Sequence, residues 1–311
     1  MTVLTTADIG IEFPCFGSSA ALSVRGGRNP HGTLAEARAR MEDWHRRLTR
    51  FDTASELSRL NASRDVRVPA SYVMCRFVAS AIHAAEQTLG LVDPTLVDEI
   101  EAAGYAGDLN GSLDLETTLA LAPPRRPARA APSGRWRDVT VDWGRRAVVR
   151  SPSVKLDSGG IAKGLAADVL AERLANHDAF AVDCAGDVRV GGRLGLPRAV
   201  QVDDPFERGV LTEFGVVDAG VATSGIGRRS WFDQTGRVAH HLLDPSTGQP
   251  AFTGIVQATA LAPTAMRAEM LAKAALLSGP GAAPDWLLHG GVLVFDDGTV
   301  MLCDPRGVDV Q

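Results

Sequence analysis

Lysine is nearly missing from this chain. It stands only at positions 155, 163 and 273, so 29 of the 32 basic residues are arginine. Such a bias belongs to coding preference, yet it makes each retained lysine more telling. A compact ammonium serves a small cavity in a way that the planar arginine fork cannot. Cysteine is scarce too: the four at 15, 75, 184 and 303 are widely scattered. That spacing excludes a metal knuckle and a small-disulfide scaffold, and predicts reduced thiols. No apolar run approaches the roughly 18 residues of a membrane-spanning helix. Positive charge is not in excess; a net charge of −5 argues against a general nucleic-acid surface. The first residues, Met-Thr-Val-Leu-Thr-Thr-Ala-Asp, have neither a basic segment nor an apolar one. No secretory leader or lipoprotein box is therefore expected, and the sequence reads as cytoplasmic.

What remains is a globular chain of 311 residues, 45% hydrophobic, with ample core for one large domain or two. Residues 11–25 read as a strand broken near Gly17. Leu34, Ala37, Met41, Trp44 and Leu48 fall on one helical face. Ser55 is placed to cap a short turn through Asn61, and a second helix over 70–89 ends at Gly90. Strands are expected at 138–142, 146–150, 179–190, 198–202 and 255–261, and helices at 160–176 and 265–278. The tail reads as a hairpin with an Asp-Gly turn. Residues 122–135, rich in Pro and Arg, cannot form a regular element and predict a mobile surface loop. The chain is thus either one region over 1–311 or two lobes, about 1–121 and 136–311, joined by that loop. The mixture predicts an α+β fold without Rossmann alternation.

Three segments carry chemistry. Residues 155–168 run from an extended stretch with Asp157, through Gly159-Gly160, into a helix with Lys163 in its first turn. Glycines admit a ligand close to the backbone, a helix N-terminus adds partial positive charge and the lysine adds a full one. This is chemistry for phosphate oxygens, although the spacing matches neither the P-loop nor GxGxxG. An exposed lysine on a tight strand-to-helix turn is the plain alternative. Residues 221–250 hold Thr223-Ser224-Gly225, the pair His240-His241, and Asp244-Pro-Ser-Thr-Gly. A histidine there can act as general base. The competing reading is a turn braced by a His–Asp hydrogen bond. In the third segment Glu269 and Lys273 are four residues apart in the order that favours a plain helix ion pair.

In order and spacing these segments resemble the ApbE family, the FAD:protein FMN transferases. The likeness runs from about Gly17 to Gly279. Ser55-Glu-Leu-Ser-Arg-Leu-Asn resembles the family's SE-x-S-R-x-N, and Gly90-Leu-Val-Asp-Pro-Thr its G-x-F-D-P-T. Leu156-Asp-Ser-Gly-Gly-Ile-Ala-Lys-Gly resembles LDLGGIAKG, and Ala185-Gly-Asp the GGD turn. Thr223-Ser-Gly and His240-His-Leu-Leu-Asp-Pro-Ser-Thr-Gly-Gln-Pro resemble TSG and HHIIDPRTGxP.

The resemblance implies an ApbE-like (T-fold-like) architecture of mixed and antiparallel sheets flanked by helices. It implies cleavage of FAD, transfer of FMN to a Ser or Thr hydroxyl of an acceptor flavoprotein carrying a Ser/Thr-Gly-Ala-Thr/Ser-like motif, and release of AMP. Phe16 and Phe51 would lie along the flavin or adenine. Leu91, Val92 and Asp93 would line the FAD pocket, with Thr223, Ser224 and Leu242 also in contact, and Asp157 and Lys163 would hold the cofactor. His240 or His241 would orient or deprotonate the acceptor hydroxyl; strand alternation does not choose between them, and His241 is preferred. The family's Mg²⁺ site uses an acid and a hydroxyl of the helix A-D-A-L-A-T-A with a backbone carbonyl. Here Gly160 and Glu269 correspond to the carbonyl and the acid, and Lys273 stands where the hydroxyl belongs. That substitution makes Mg²⁺ doubtful and predicts Lys273 in its place, held by Glu269. Hydrolysis of FAD to FMN and AMP, and flavin binding without transfer, remain as alternatives.

Overall fold

The computed structural model describes residues 8–107, 112–206 and 208–305. Residues 1–7, on which the leaderless reading rests, lie outside them. Eight strands make the main sheet: β1 (Ile9–Cys15), β2 (Ser18–Arg25), β3 (Ala179–Cys184), β4 (Asp187–Gly191), β5 (Gly220–Gly225), β6 (Ile255–Ala262), β7 (Gly291–Phe295) and β8 (Val300–Cys303). Their order across the sheet is their order along the chain, and every neighbouring pair is antiparallel. The α+β expectation holds.

Two expected strands are hairpins. Residues 11–25 fold back at Phe16-Gly17, both at positive φ, so Cys15 pairs with Ser18. Residues 179–190 fold back at Ala185-Gly186, again both at positive φ. The two-residue turn shifts the alternation by one position: β1 buries odd-numbered residues (Phe13, Cys15), β2 even-numbered ones (Ala20, Leu22, Val24).

Three helices cover one face. α1 (Pro30–Leu48) starts with Pro30 in its first turn and a cap from Asn29, whose side chain accepts from the Gly32 amide. It buries the five expected residues, Leu34 to Leu48. α4 (Ala162–Leu174) and α5 (Ala265–Ser278) are Ala-rich and buried nearly all round. Preceding α4, α2 (Glu56–Ala62) and α3 (Tyr72–Gln87) are capped by Ser55 and Ser71. On the opposite face the hairpin Arg198–Asp203/Val210–Val216 closes a smaller core of Ala181, Val188, Val190, Val200, Val216 and Val221. β3 is consequently buried along its whole length.

The segment 122–135 is irregular, as expected, but it is not loose. The Arg126 amide donates to the Phe252 carbonyl (2.9 Å), that of Ala128 to the Leu277 carbonyl (2.8 Å), and that of Arg129 to Asp244 Oδ1 (3.0 Å). Proline removes donors, yet the amides that remain are satisfied by fixed neighbours and Ala128 is buried. Composition reports the lack of a regular element; it does not report these long-range partners. No helix among the described residues is long and apolar enough to cross a membrane.

α4 and α5 touch through bare backbone at Gly164. A Cβ there would stand 2.6 Å from the Ala265 carbonyl oxygen and 2.7 Å from Met266 Cα. Alanine in a helix gains about 1 kcal/mol over glycine, but backbone cannot yield as a side-chain tip does. Gly164→Ala should therefore lose a net 1–3 kcal/mol or so, by the usual cost of overpacking, as measured by denaturant unfolding.

Candidate active site

One large cavity, about 1690 Å³, opens between the main sheet, the start of α4 and the loops around residues 50 and 92. Its wall includes Phe16, Phe51, Leu91, Val92, Asp93, Asp157, Gly160, Lys163, Thr223, Ser224, His241, Leu242 and Lys273. Of the expected site residues, His240 and Glu269 are not on that wall; both are fully buried behind it.

The motif segments are scaffolding for this wall as much as lining. Ser55 caps α2. Glu56 accepts from the Ser71 amide (2.7 Å) and hydroxyl (2.7 Å), which fixes the start of α3. Asn61 clamps Leu156, donating to its carbonyl (2.9 Å) and accepting from its amide (2.8 Å). The extended stretch leading to Asp157 is thereby held from behind. Asp157 itself accepts from the Gly159 amide (2.8 Å) and faces Arg50 Nε at 3.2 Å.

Arg50 is a site residue the sequence reading missed. Its guanidinium lies 4.4 Å from the Phe51 ring centroid and 4.7 Å from that of Tyr105. Tyr105 is the second omission; it makes edge contact with Phe51 and a tilted one with Trp231. The only signal available was an arginine beside an aromatic residue in a loop. Phe16, at φ 52°, presents its ring edge to His45, with centroids 5.0 Å apart. The Asp93 carboxylate accepts from the Thr95 amide (2.8 Å) and hydroxyl (2.5 Å); burial raises its pKa against those bonds. Thr223 shares a hydrogen bond of 2.9 Å with Thr259 across β5 and β6.

The two histidines part company. His240 ends the short strand Val238–His240, accepts at Nδ1 from the Leu242 amide (3.2 Å), and packs edge-on against Phe252. Burial pushes its pKa down to about 3. His241 lines the cavity, with a buried Nδ1 that has no hydrogen-bond partner among the described residues. Burial first, then Arg229, His240 and Lys273, hold it well below the ordinary 6.5, while the Arg229 backbone works the other way. It is neutral, the form of a base. Neither ring bonds to Asp244, contrary to the braced-turn alternative. The Asp244 carboxylate accepts instead from the Ser246 amide (3.0 Å) and hydroxyl (2.8 Å) and from Arg129.

Below the cavity lie two ion pairs. Lys163 Nζ is 2.6 Å from Asp187 Oδ2, and Lys273 Nζ is 2.8 Å from Glu269 Oε1. Glu269 Oε2 accepts from the Gly164 amide at 2.9 Å. Burial depresses the Lys163 pKa, but the charges of Asp187 and then Glu269 outweigh it and raise it. Burial and Glu269 raise that of Asp187 against the pull of Lys163. The Glu269–Lys273 pair is therefore no surface helix pair. Nor does this arrangement fit a divalent cation: both Glu269 oxygens are engaged and an ammonium fills the place of a ligand.

This antiparallel sheet with its helices is a fold shared by solved flavin-transferase structures. The ApbE protein from Thermotoga maritima shares it with TM-score 0.77 and 25% identity, over 95% of this chain and 96% of that one. The flavin transferase ApbE from Vibrio cholerae does so with TM-score 0.73 and 19% identity, over 96% and 98%. The model of the ApbE family matches residues 16–294, and the chain belongs to that family. Among curated relatives, the FAD:protein FMN transferase of Haemophilus influenzae is 28% identical over 79% of this chain and 72% of its own length. That of Salmonella typhimurium is 28% identical over 82% and 73%.

His240 gives a test by stability. Its folded pKa lies below its unfolded one, so below pH 6.5 the unfolded chain binds the extra proton and the fold loses stability as pH falls. In His240→Asn that contribution is gone. Relative to wild type, the variant should gain ground steadily as pH drops below 6.5, read by urea unfolding at each pH.

Proposed function

We propose that this protein transfers the FMN half of FAD to a Ser or Thr hydroxyl of an acceptor flavoprotein, and that residues 1–311 act as one catalytic region. The observation that carries the reading is His241. A neutral imidazole with a free, buried Nδ1 stands on the wall of a cavity that also presents Lys163 and Lys273. A base, two ammonium groups and aromatic surface are what attack by a hydroxyl on a dinucleotide pyrophosphate needs.

In the proposed reaction the acceptor oxygen bonds to the phosphorus on the riboflavin side. The bond from that phosphorus to the bridging oxygen breaks, and AMP leaves with the bridging oxygen and its electron pair. His241 takes the hydroxyl proton and passes it to solvent. Phe16, Phe51, Leu91, Val92, Asp93 and Leu242 supply contact for the ring systems, and Thr223 and Ser224 supply hydroxyls beside the phosphates. Asp157, braced by Arg50, and Lys163 hold the dinucleotide. The resemblance supports an acceptor with a Ser/Thr-Gly-Ala-Thr/Ser-like motif.

Incubation with FAD and an acceptor domain should add the mass of FMN, less water, to the acceptor and release AMP in equal amount. AMP release without acceptor modification would instead identify a hydrolase. His241→Ala should lower transfer by about 10²–10⁴-fold while FAD still binds, followed by flavin fluorescence.

The pH profile follows from the sign of the shift. A depressed pKa keeps His241 unprotonated down through 6.5, so the acid limb of kcat/KM should lie below that pH. A limb at or above it would count against this residue as the base.

A further inference from the structure

Both ion pairs under the cavity are built the same way round. In each, the lysine is the more exposed partner and the carboxylate is sealed behind it: side-chain exposure is 19% for Lys163 against 1% for Asp187, and 10% for Lys273 against 1% for Glu269. Lys163 and Lys273 are on the cavity wall, while Asp187 and Glu269 are not. Each pair is a dipole with its positive end toward the ligand space. The Gly164 amide, in the first turn of α4, donates to Glu269 from the other side. Glu269 thus joins the helix start to Lys273 and leaves no lone carboxylate oxygen facing the cavity. Lysine occupies both positions in a chain that otherwise uses arginine almost throughout.

We propose that Lys273, acting with Lys163, supplies the fixed positive charge for the FAD pyrophosphate that a divalent cation would otherwise bring, and that this protein works without one. Glu269 is the counter-ion that positions Lys273, and it is not a metal ligand. This rests on the FAD-transferase reading above. The physical reason is pre-organisation: an ammonium held by a buried carboxylate that is itself fixed by the Gly164 amide needs no reordering when the pyrophosphate arrives. A compact charge on a flexible stem suits one phosphate oxygen better than a guanidinium fork does.

Wild-type protein decides the matter without any variant. FAD affinity should agree within about twofold in EDTA and in Mg²⁺, and FMN transfer should persist in EDTA. Electron paramagnetic resonance of added Mn²⁺ should show no more ion bound to the protein–FAD complex than to FAD alone. Lys273→Met should weaken FAD binding at least about tenfold whether or not metal is present. The paired change Glu269→Asp with Lys273→Thr should create Mn²⁺ binding and make FAD affinity depend on it. Stoichiometric Mn²⁺ on the wild-type complex, or transfer abolished by EDTA while FAD stays bound, would overturn the proposal and leave the transferase reading standing. So would a Lys273→Met variant, folded by circular dichroism, with unchanged FAD affinity. Failure to bind FAD under any condition would overturn both.

Discussion

Everything around the cavity depends on how closely α4 approaches α5. Gly164 brings backbone to backbone, and the approach is held at two further points. Asp168, one turn later on α4, accepts from the Ala265 (2.8 Å) and Met266 (3.0 Å) amides at the start of α5. Glu269, one turn into α5, accepts in return from Gly164. Each helix therefore satisfies free first-turn amides of the other, groups that an isolated helix leaves without partners. The start of α4 has no side-chain cap of its own from Ile161, which makes Glu269 its partner by necessity. Moving either helix by an ångström would unseat the lysines that both helices carry.

Much of the scaffold was legible because its signals are local. The apolar face of α1 and the serine cap at 55 are written in residues a few positions apart, and α5 follows from its run of good helix formers. The hairpins at Phe16-Gly17 and Ala185-Gly186 were half legible: a break near Gly17 and a turn at Ala185-Gly-Asp could be read, but not that the chain pairs back on itself there. At Phe16 and Ala185 the positive φ of the turn falls on residue types that do not advertise it. The strap at 122–135 was half legible: its composition shows that no helix or strand forms, while its anchoring on Phe252, Leu277 and Asp244 comes from residues more than 100 positions away.

The site divides in the same manner. Motif order placed Lys163, His241, Asp157 and the 91–93 loop within one neighbourhood, and the cavity wall contains them all. Sequence could not separate His240 from His241, because adjacent strand residues are equivalent until something says which face is filled. Phe252 fills one face and the cavity opens on the other. Arg50 and Tyr105 escaped notice because their roles exist only as contacts: one guanidinium between two rings and a carboxylate. The Glu269–Lys273 pair is a case where spacing was read correctly and burial changed its meaning. An exposed pair of this order contributes a few tenths of a kcal/mol; a buried one fixes where a charge must stand.

The strand order has a kinetic side. Seven neighbouring strand pairs follow the chain, but pairing β2 with β3 brings Arg25 to Ala179 across the whole helical insertion. Closing so long a loop is entropically costly and slow compared with forming a hairpin. The cavity takes residues from both sides of that closure and from α5 beyond it. During synthesis the β1–β2 hairpin and α1 can form early, yet the cavity wall is complete only once α5 with Lys273 and Leu277 has been added. A chain cut short before α5 would be expected to expose the side of α4 that meets α5 and the faces of β5 and β6 that α5 covers.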